Sequence, residues 1–374
     1  MNDRTKNIVV TSVFVAFMAF FVAMCIFRYF APVETSQAER RPLAQFPEDI
    51  SWSGVLDKSL IEEFEDYSVD QFPFREFFRG IKANFQLNVL GLKENNGLAV
   101  QDGYIVKIEQ DFVDKNVNYS LGRLQLFYEQ FVKDNGGNHY LALIPDKNYF
   151  LAQDYGYPGP DYSGLTDKVT AALPNMQYIN LYDSLELKDY YFTDTHWSQN
   201  KILGVVDKLA ADMGIDHLLS GQYTENRLEG FQGVYYGQSA LKPAPDTLVY
   251  LTNHVLDGCT VYDYETQKTG PIYALDKFDG SDGYDVFLSG TKSLLRIDNP
   301  ASQSGKTLVV FRDSYGSSLT PLLAEAYDTV YLVDIRYISA SALSLYEQMK
   351  MVDFEDADVL FLYSALILNS NSFK

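Results

Sequence analysis

The sequence predicts an α/β protein whose mainly parallel sheet is flanked by helices. Two observations carry that expectation. Short apolar, β-branched or aromatic runs alternate with stretches of helical spacing from about residue 121 onward, and 374 residues at 47% hydrophobic content suffice for a large layered domain. The runs are HYLALIP (139–145), MQYINL (176–181), KTLVVF (306–311), TVYLVD (329–334) and DVLFLYS (358–364), each bounded by polar or turn residues. Helical stretches at 121–134, 198–213, 318–327 and 340–352 lie between them. Strands alternating with helices place a parallel sheet between two helical layers.

The chain before that region is organised differently. Residues 8–27, IVVTSVFVAFMAFFVAMCIF, form a charge-free stretch of 20, about the length of helix that crosses a hydrocarbon core. A cleavable signal peptide would have a shorter apolar region and a small-residue cleavage site. A lipoprotein signal ending at Cys25 would need a small residue where Met24 stands. The expectation is therefore a short cytoplasmic tail and single-pass transmembrane helix over 1–28. Arg28, Arg40 and Arg41 beyond the span rival Arg4 and Lys6 before it; retention of the seven-residue tail inside favours an exported body. Residues 29–105 follow as an extended stem, with Pro42 and Pro47, and an N-terminal helical region interrupted at Pro73. The third region, 106–374, is the α/β domain. Its rhythm breaks at 217–303, rich in Gly, Tyr, Asp and Thr, which reads as an inserted set of strands and loops.

Composition narrows the function. A net charge of −20 argues against nucleic acid, whose phosphates are held by Lys and Arg. The load of 28 Tyr and 25 Phe suits a dense core and also surfaces on which sugar rings stack. Only Cys25 and Cys259 are present, so no disulfide forms within the body, and the four scattered histidines supply no zinc-type ligand set. No cofactor and no metal are expected.

Two stretches carry candidate chemistry. In KTLVVFRDSYGSSLTPLL a buried strand runs into the polar corner Arg312-Asp313-Ser314-Tyr315-Gly316 and then a helix. A serine there projects at the carboxyl edge of the sheet, beside the N–H groups of a helix start; alternatively, Asp313 or Ser314 simply caps that helix. In YYFTDTHWSQN, Asp194 precedes His196 by two residues. Thr193, Asp194 or Thr195 could cap the following helix. Alternatively, Asp194 holds His196 in one tautomer as the base a nucleophilic serine requires. His139, His217 and His254 lack a carboxylate pattern and read as structural or solvated.

These residues resemble the DHHW proteins and the alginate O-acetyltransferase group, membrane-anchored relatives of SGNH hydrolases. The likeness covers nearly the whole exported chain: ERRPLAQFPE, DYSVDQFPFRE, LIPDKNYF, YYFTDTHWS, FQGVYYGQSALKPAPDTL and FRDSYGSSLTPLL follow in the family's order. The resemblance implies an SGNH-hydrolase-like fold with Ser314 as nucleophile, His196 as base and Asp194 as orienting carboxylate. Two positions depart from the pattern: Arg312 stands where the serine block carries glycine, and Thr195 replaces the first histidine of DHHW. For the oxyanion the candidates are the Ser314 N–H, then Lys147 or Asn200. Arg336 and Tyr337 either line the site or serve salt-bridge and packing roles. The implied activity is extracytoplasmic O-acetyl transfer to a cell-surface or exported polysaccharide at the cell membrane, the acyl group arriving through a multispanning membrane acyltransferase. A carbohydrate esterase with the same triad and a non-catalytic glycan-binding scaffold are the alternatives.

Overall fold

A computed structural model describes residues 2–48 and 50–373 and divides into two compact units, Met1–Asn95 with Tyr236–Lys242, and Asn96–Tyr235 with Pro243–Lys374. In the first unit a helix of 28 residues, Asp3–Phe30, is long and apolar enough to cross a membrane, and none of its apolar window is buried. Helices Ser59–Asp70 and Arg75–Asn84 follow, separated at Pro73 as its missing N–H dictates. Phe74, just past the proline, takes a left-handed φ of 58° to restart the helix. The motifs ERRPLAQFPE and DQFPFRE meet here. Asp70 accepts a forked pair of bonds from Arg41 at 2.8 and 2.7 Å and pairs with Arg75 at 3.0 Å, while Glu39 pairs with Arg75 and Arg79.

The second unit is built on an eight-stranded sheet. Its strands are β1 (His139–Ile144), β2 (Gln177–Asn180), β3 (Thr260–Asp263), β4 (Lys268–Gly270), β5 (Leu294–Asp298), β6 (Thr307–Arg312), β7 (Thr329–Val333) and β8 (Asp358–Ser364). They lie in the order β4-β3-β5-β7-β6-β8-β1-β2. Strands β7, β6, β8, β1 and β2 are parallel; β5, β3 and β4 continue the sheet antiparallel. The 217–303 stretch thus completes the sheet as its antiparallel edge. It also forms a hairpin, Thr224–Phe231 with Asp246–Thr252, whose register shifts at Gly230, where a φ of 88° requires glycine.

Side-chain alternation divides the core in two. Tyr140, Ala142 and Ile144, Leu308 and Val310, and Leu360 and Leu362 pack with helices Leu203–Met213 and Gly316–Leu323. Leu141 and Leu143, Val309 and Phe311, and Val359 and Phe361 pack with helices Asp114–Phe127, Tyr162–Ala172 and Ala340–Gln348. Burial on both faces explains why these strands read as continuous apolar runs, each such side chain contributing about 1.5–3 kcal/mol.

Helix limits depart more from expectation. The 121–134 stretch begins at Asp114 and widens into a π turn at Tyr128–Val132. The 198–213 stretch splits into a single turn at Gln199–Lys201 and helix Leu203–Met213, because the Gln199 amide is committed to Leu251 and Ser318 backbone groups. The helix from 340 ends at Gln348, just before Lys350 turns left-handed.

Candidate active site

β6 rises between β7 and β8, the point where successive crossovers leave in opposite directions, and its carboxyl end opens the crevice where α/β sheets hold ligands. The turn after it is pinned from within. Asp313 accepts the Tyr315 N–H at 3.0 Å and the Ser364 N–H of β8 at 2.8 Å. Gly316 is required there, since a Cβ would lie 2.8 Å from the Arg312 Cβ. The Ser314 side chain does not cap the helix; its hydroxyl lies 2.8 Å from His196 Nε2.

His196 sits on a tight loop closed by an antiparallel bridge between Tyr190 and Trp197, with Tyr191 N–H donating to the His196 carbonyl. Its Nδ1 lies 2.5 Å from Asp194 Oδ1, which also accepts the His196 backbone N–H at 2.9 Å. The other Asp194 oxygen accepts the Val234 N–H at 2.7 Å. Burial alone would raise the Asp194 carboxyl, but the attraction of His196 and these hydrogen bonds hold it well below the usual carboxylate range. Gly233 passes so close that a Cβ would sit 2.5 Å from the Asp194 Cα and N. Asp246 clamps the loop from the hairpin side, accepting the Phe192 and Thr193 N–H groups and the Thr193 hydroxyl.

Aromatic rings fix the imidazole plane. Tyr284 stacks on His196 with centroids 3.8 Å apart and planes within 6°, and Tyr315 meets it edge-on at 4.9 Å. Ser318, on the helix after the serine, accepts from Tyr284 Oη at 2.8 Å and from Trp197 Nε1 at 3.0 Å. Tyr315 reaches back to the Thr195 carbonyl at 2.7 Å. Ser314, His196 and Asp194 are therefore held in one line from two separate elements, the turn after β6 and the loop closed by the Tyr190–Trp197 bridge, in the arrangement a serine, its base and an orienting acid adopt.

The remaining sequence candidates occupy distinct places. Lys147 starts the helix after β1, fully buried, and donates to the Tyr191 and Phe192 carbonyls at 3.0 and 3.3 Å. Burial pushes its ammonium down to about 7 against the pull of Asp194, Asp246 and Asp146. Asn200 is engaged with Ser198 and with Glu225 of the hairpin. Arg336 grips Asp334 with two bonds of 2.8 and 2.6 Å and lies 5.3 Å from the Tyr337 ring centre; Tyr337 itself is exposed. Arg312, the departure from glycine, is buried with its guanidinium 3.7 Å from Asp334. Tyr235 is packed inside, its ring 5.2 Å from the Lys147 ammonium. Sequence reasoning passed over Tyr284, Ser318 and Asp246. Asp246 lies in a quoted motif, but Tyr284 sits in loop sequence that carries no local signal. Among the described residues no cluster could hold a metal ion.

The fold is of the SGNH-like α/β class. Within that class the chain resembles the DHHW proteins: the model of the DHHW protein family matches residues 175–333, a span that includes Asp194, His196 and Ser314. The chain is similar to the crystal structure of a DHHW family protein from Eubacterium siraeum, at 22% identity and a TM-score of 0.60, over 74% of this chain and 94% of that one. It is also similar to Bacillus cereus PatB1, at 18% identity and a TM-score of 0.56, over 75% of this chain and 99% of that one. A second PatB1 structure carries a sulfonyl adduct and aligns at the same identity and TM-score. No curated protein matches the chain.

Proposed function

We propose that this protein is an extracytoplasmic O-acyltransferase, transferring acetyl groups to a cell-surface or exported polysaccharide. The observation that carries the reading is the His196 bridge, with one ring nitrogen on the Ser314 hydroxyl and the other on the buried Asp194 carboxylate. Ser314 Oγ attacks the acyl carbonyl carbon while its proton passes to His196 Nε2. The tetrahedral intermediate collapses, the C–O bond to the donor breaks, and His196 returns the proton to the leaving oxygen. A sugar hydroxyl then attacks the acyl-serine, gives its proton to Nε2, and leaves as an ester while Ser314 recovers its hydrogen. Asp194 orients Nδ1–H throughout and stabilises the imidazolium formed in the reaction, and Tyr284 stacked on the ring holds its plane.

The acceptor fits a neutral or weakly charged glycan, since a net charge of −20 repels polyanions over the general surface. The acyl donor would be delivered by a multispanning membrane acyltransferase, and the helix Asp3–Phe30 would hold the enzyme at that membrane. An active-site probe tests the mechanism. A fluorophosphonate or sulfonyl fluoride should label the wild type and fail on Ser314→Ala, which removes a single oxygen from a partly buried residue and should leave melting unchanged. Full acyl transfer by that variant would refute the mechanism. With an activated acetyl ester, added oligosaccharide should capture acetyl and suppress free acetate; stripping of pre-acetylated glycan without capture would make the enzyme an esterase.

A further inference from the structure

The helix Asp3–Phe30 touches its own unit at an informative level. Phe20 and Phe74 have ring centroids 6.2 Å apart, and Phe21 lies 5.9 Å from Phe72 and 6.3 Å from Phe78. The charge-free stretch ends at Phe27, seven residues beyond Phe20. At 1.5 Å per residue Phe20 therefore lies about 10 Å inside the apolar span, whereas half of a hydrocarbon core is about 15 Å deep. Rings that meet Phe20 and Phe21 lie at hydrocarbon depth whenever the helix spans a bilayer.

The side chains beside those rings match that depth. Phe74, Phe77, Phe78, Ile81 and Phe85 recur at helical spacing on one face of helix Arg75–Asn84 and its continuation, and are 52, 65, 40, 50 and 51% exposed. In water such a contiguous apolar face is a liability. The two arginines of the helix are turned inward: Arg75 and Arg79, with side chains only 11% and 15% exposed, are paired to Glu39 and Asp70, while Glu76 is paired with both arginines at the surface and Lys82 is exposed. Neutralising charge on the protein side while aromatics face outward is the arrangement an interfacial helix needs.

We propose that helix Arg75–Asn84, with its continuation through Val89, is a monotopic membrane platform. It would lie within the leaflet nearer the carboxyl end of Asp3–Phe30, its phenylalanine face against acyl chains. This rests on Asp3–Phe30 spanning the bilayer, and the experiment separates the two ideas. Full-length protein with Cys25→Ala is placed in nanodiscs of phosphatidylethanolamine and phosphatidylglycerol. Nitroxides are attached singly at Phe77→Cys, Phe85→Cys, Phe17→Cys and, on the second unit, Lys115→Cys; Cys259 is buried and its thiol is pushed up to about 12. Labels at 77 and 85 should collide with dissolved oxygen and lose collisions with a water-soluble nickel chelate, as the label at 17 does, while the label at 115 should do the reverse. If 77 and 85 collide with nickel like 115 while 17 stays shielded, the platform is wrong and the anchor stands. If 17 also meets nickel, the anchor reading falls with it. Shielding of 77 and 85 from both reagents would mean that a protein partner covers the face, which equally overturns the proposal.

Discussion

Gly233→Ala should damage the site without touching any of its chemical groups. An added Cβ would lie 2.5 Å from the Asp194 Cα and N, backbone atoms that no rotamer change can move aside. Ordinary carbon contacts need about 3.5–4.0 Å, so the loop through Gly233 must retreat by roughly 1 Å. Retreat breaks the Val234 N–H bond to Asp194 and the Gly233 N–H bond to Thr193 Oγ1. Overpacking costs about 1–3 kcal/mol and a hydrogen bond to a buried carboxylate about 1.5–3 kcal/mol, giving a loss of about 2.5–6 kcal/mol. Displacing the orienting acid by about 1 Å should also slow probe labelling by roughly 100-fold. The matched control is Gly122→Ala, on the exposed side of helix Asp114–Phe127, where nothing lies within 4 Å of the new Cβ. It should stabilise by up to about 1 kcal/mol and label normally. Urea unfolding and fluorophosphonate labelling rates on both variants decide the matter. Wild-type stability and labelling in Gly233→Ala would show that this close approach does not hold Asp194.

Asp194→Asn should lower turnover by roughly 10,000-fold, because the amide favours the wrong imidazole tautomer, and should cost about 1–3 kcal/mol in urea unfolding, because one backbone N–H then faces an NH2 donor; a turnover loss below tenfold would remove Asp194 from the mechanism. Ser318→Ala leaves the Trp197 and Tyr284 donors without their acceptor and should cost about 2–4 kcal/mol in urea unfolding, a null result showing that water replaces the hydroxyl. Lys147 predicts a pH signature: between about 7, its folded value, and the ordinary 10.5, only the unfolded chain holds the proton, so stability rises with pH across that window. Relative to Lys147→Met, the wild type should gain several kcal/mol from pH 6.5 to 9.5, and a difference independent of pH would mean the ammonium is not desolvated. Protease added to intact cells should digest the body and spare only a fragment around residues 1–28; full protection would place the enzyme in the cytoplasm.

The strands of the parallel core were legible because burial on both faces leaves an unbroken apolar run with polar ends: β8 matches its predicted limits and β1 and β7 fall one residue short. Strands β3 and β4, at the antiparallel end of the sheet, were not separately legible, since they are short and their Thr, Asp, Lys and Gly residues resemble loop. At the site, residue types and the two-residue spacing of Asp194 and His196 pointed to a triad, and the carboxyl edge of the sheet brings Ser314 to them from 118 positions away. The stacking of Tyr284 on His196 had no counterpart in the sequence. A pairing between two loops leaves no periodicity, and a tyrosine among 28 is invisible until the chain folds.

The double role of Ser318 has a mechanical consequence. Its oxygen receives both Trp197, next to His196, and Tyr284, which lies flat on the His196 ring, while its own helix begins two residues after Ser314. Any sliding of that helix against the sheet drags the imidazole's neighbours with it. The gap between hydroxyl and imidazole is thereby insulated from breathing of the sheet edge.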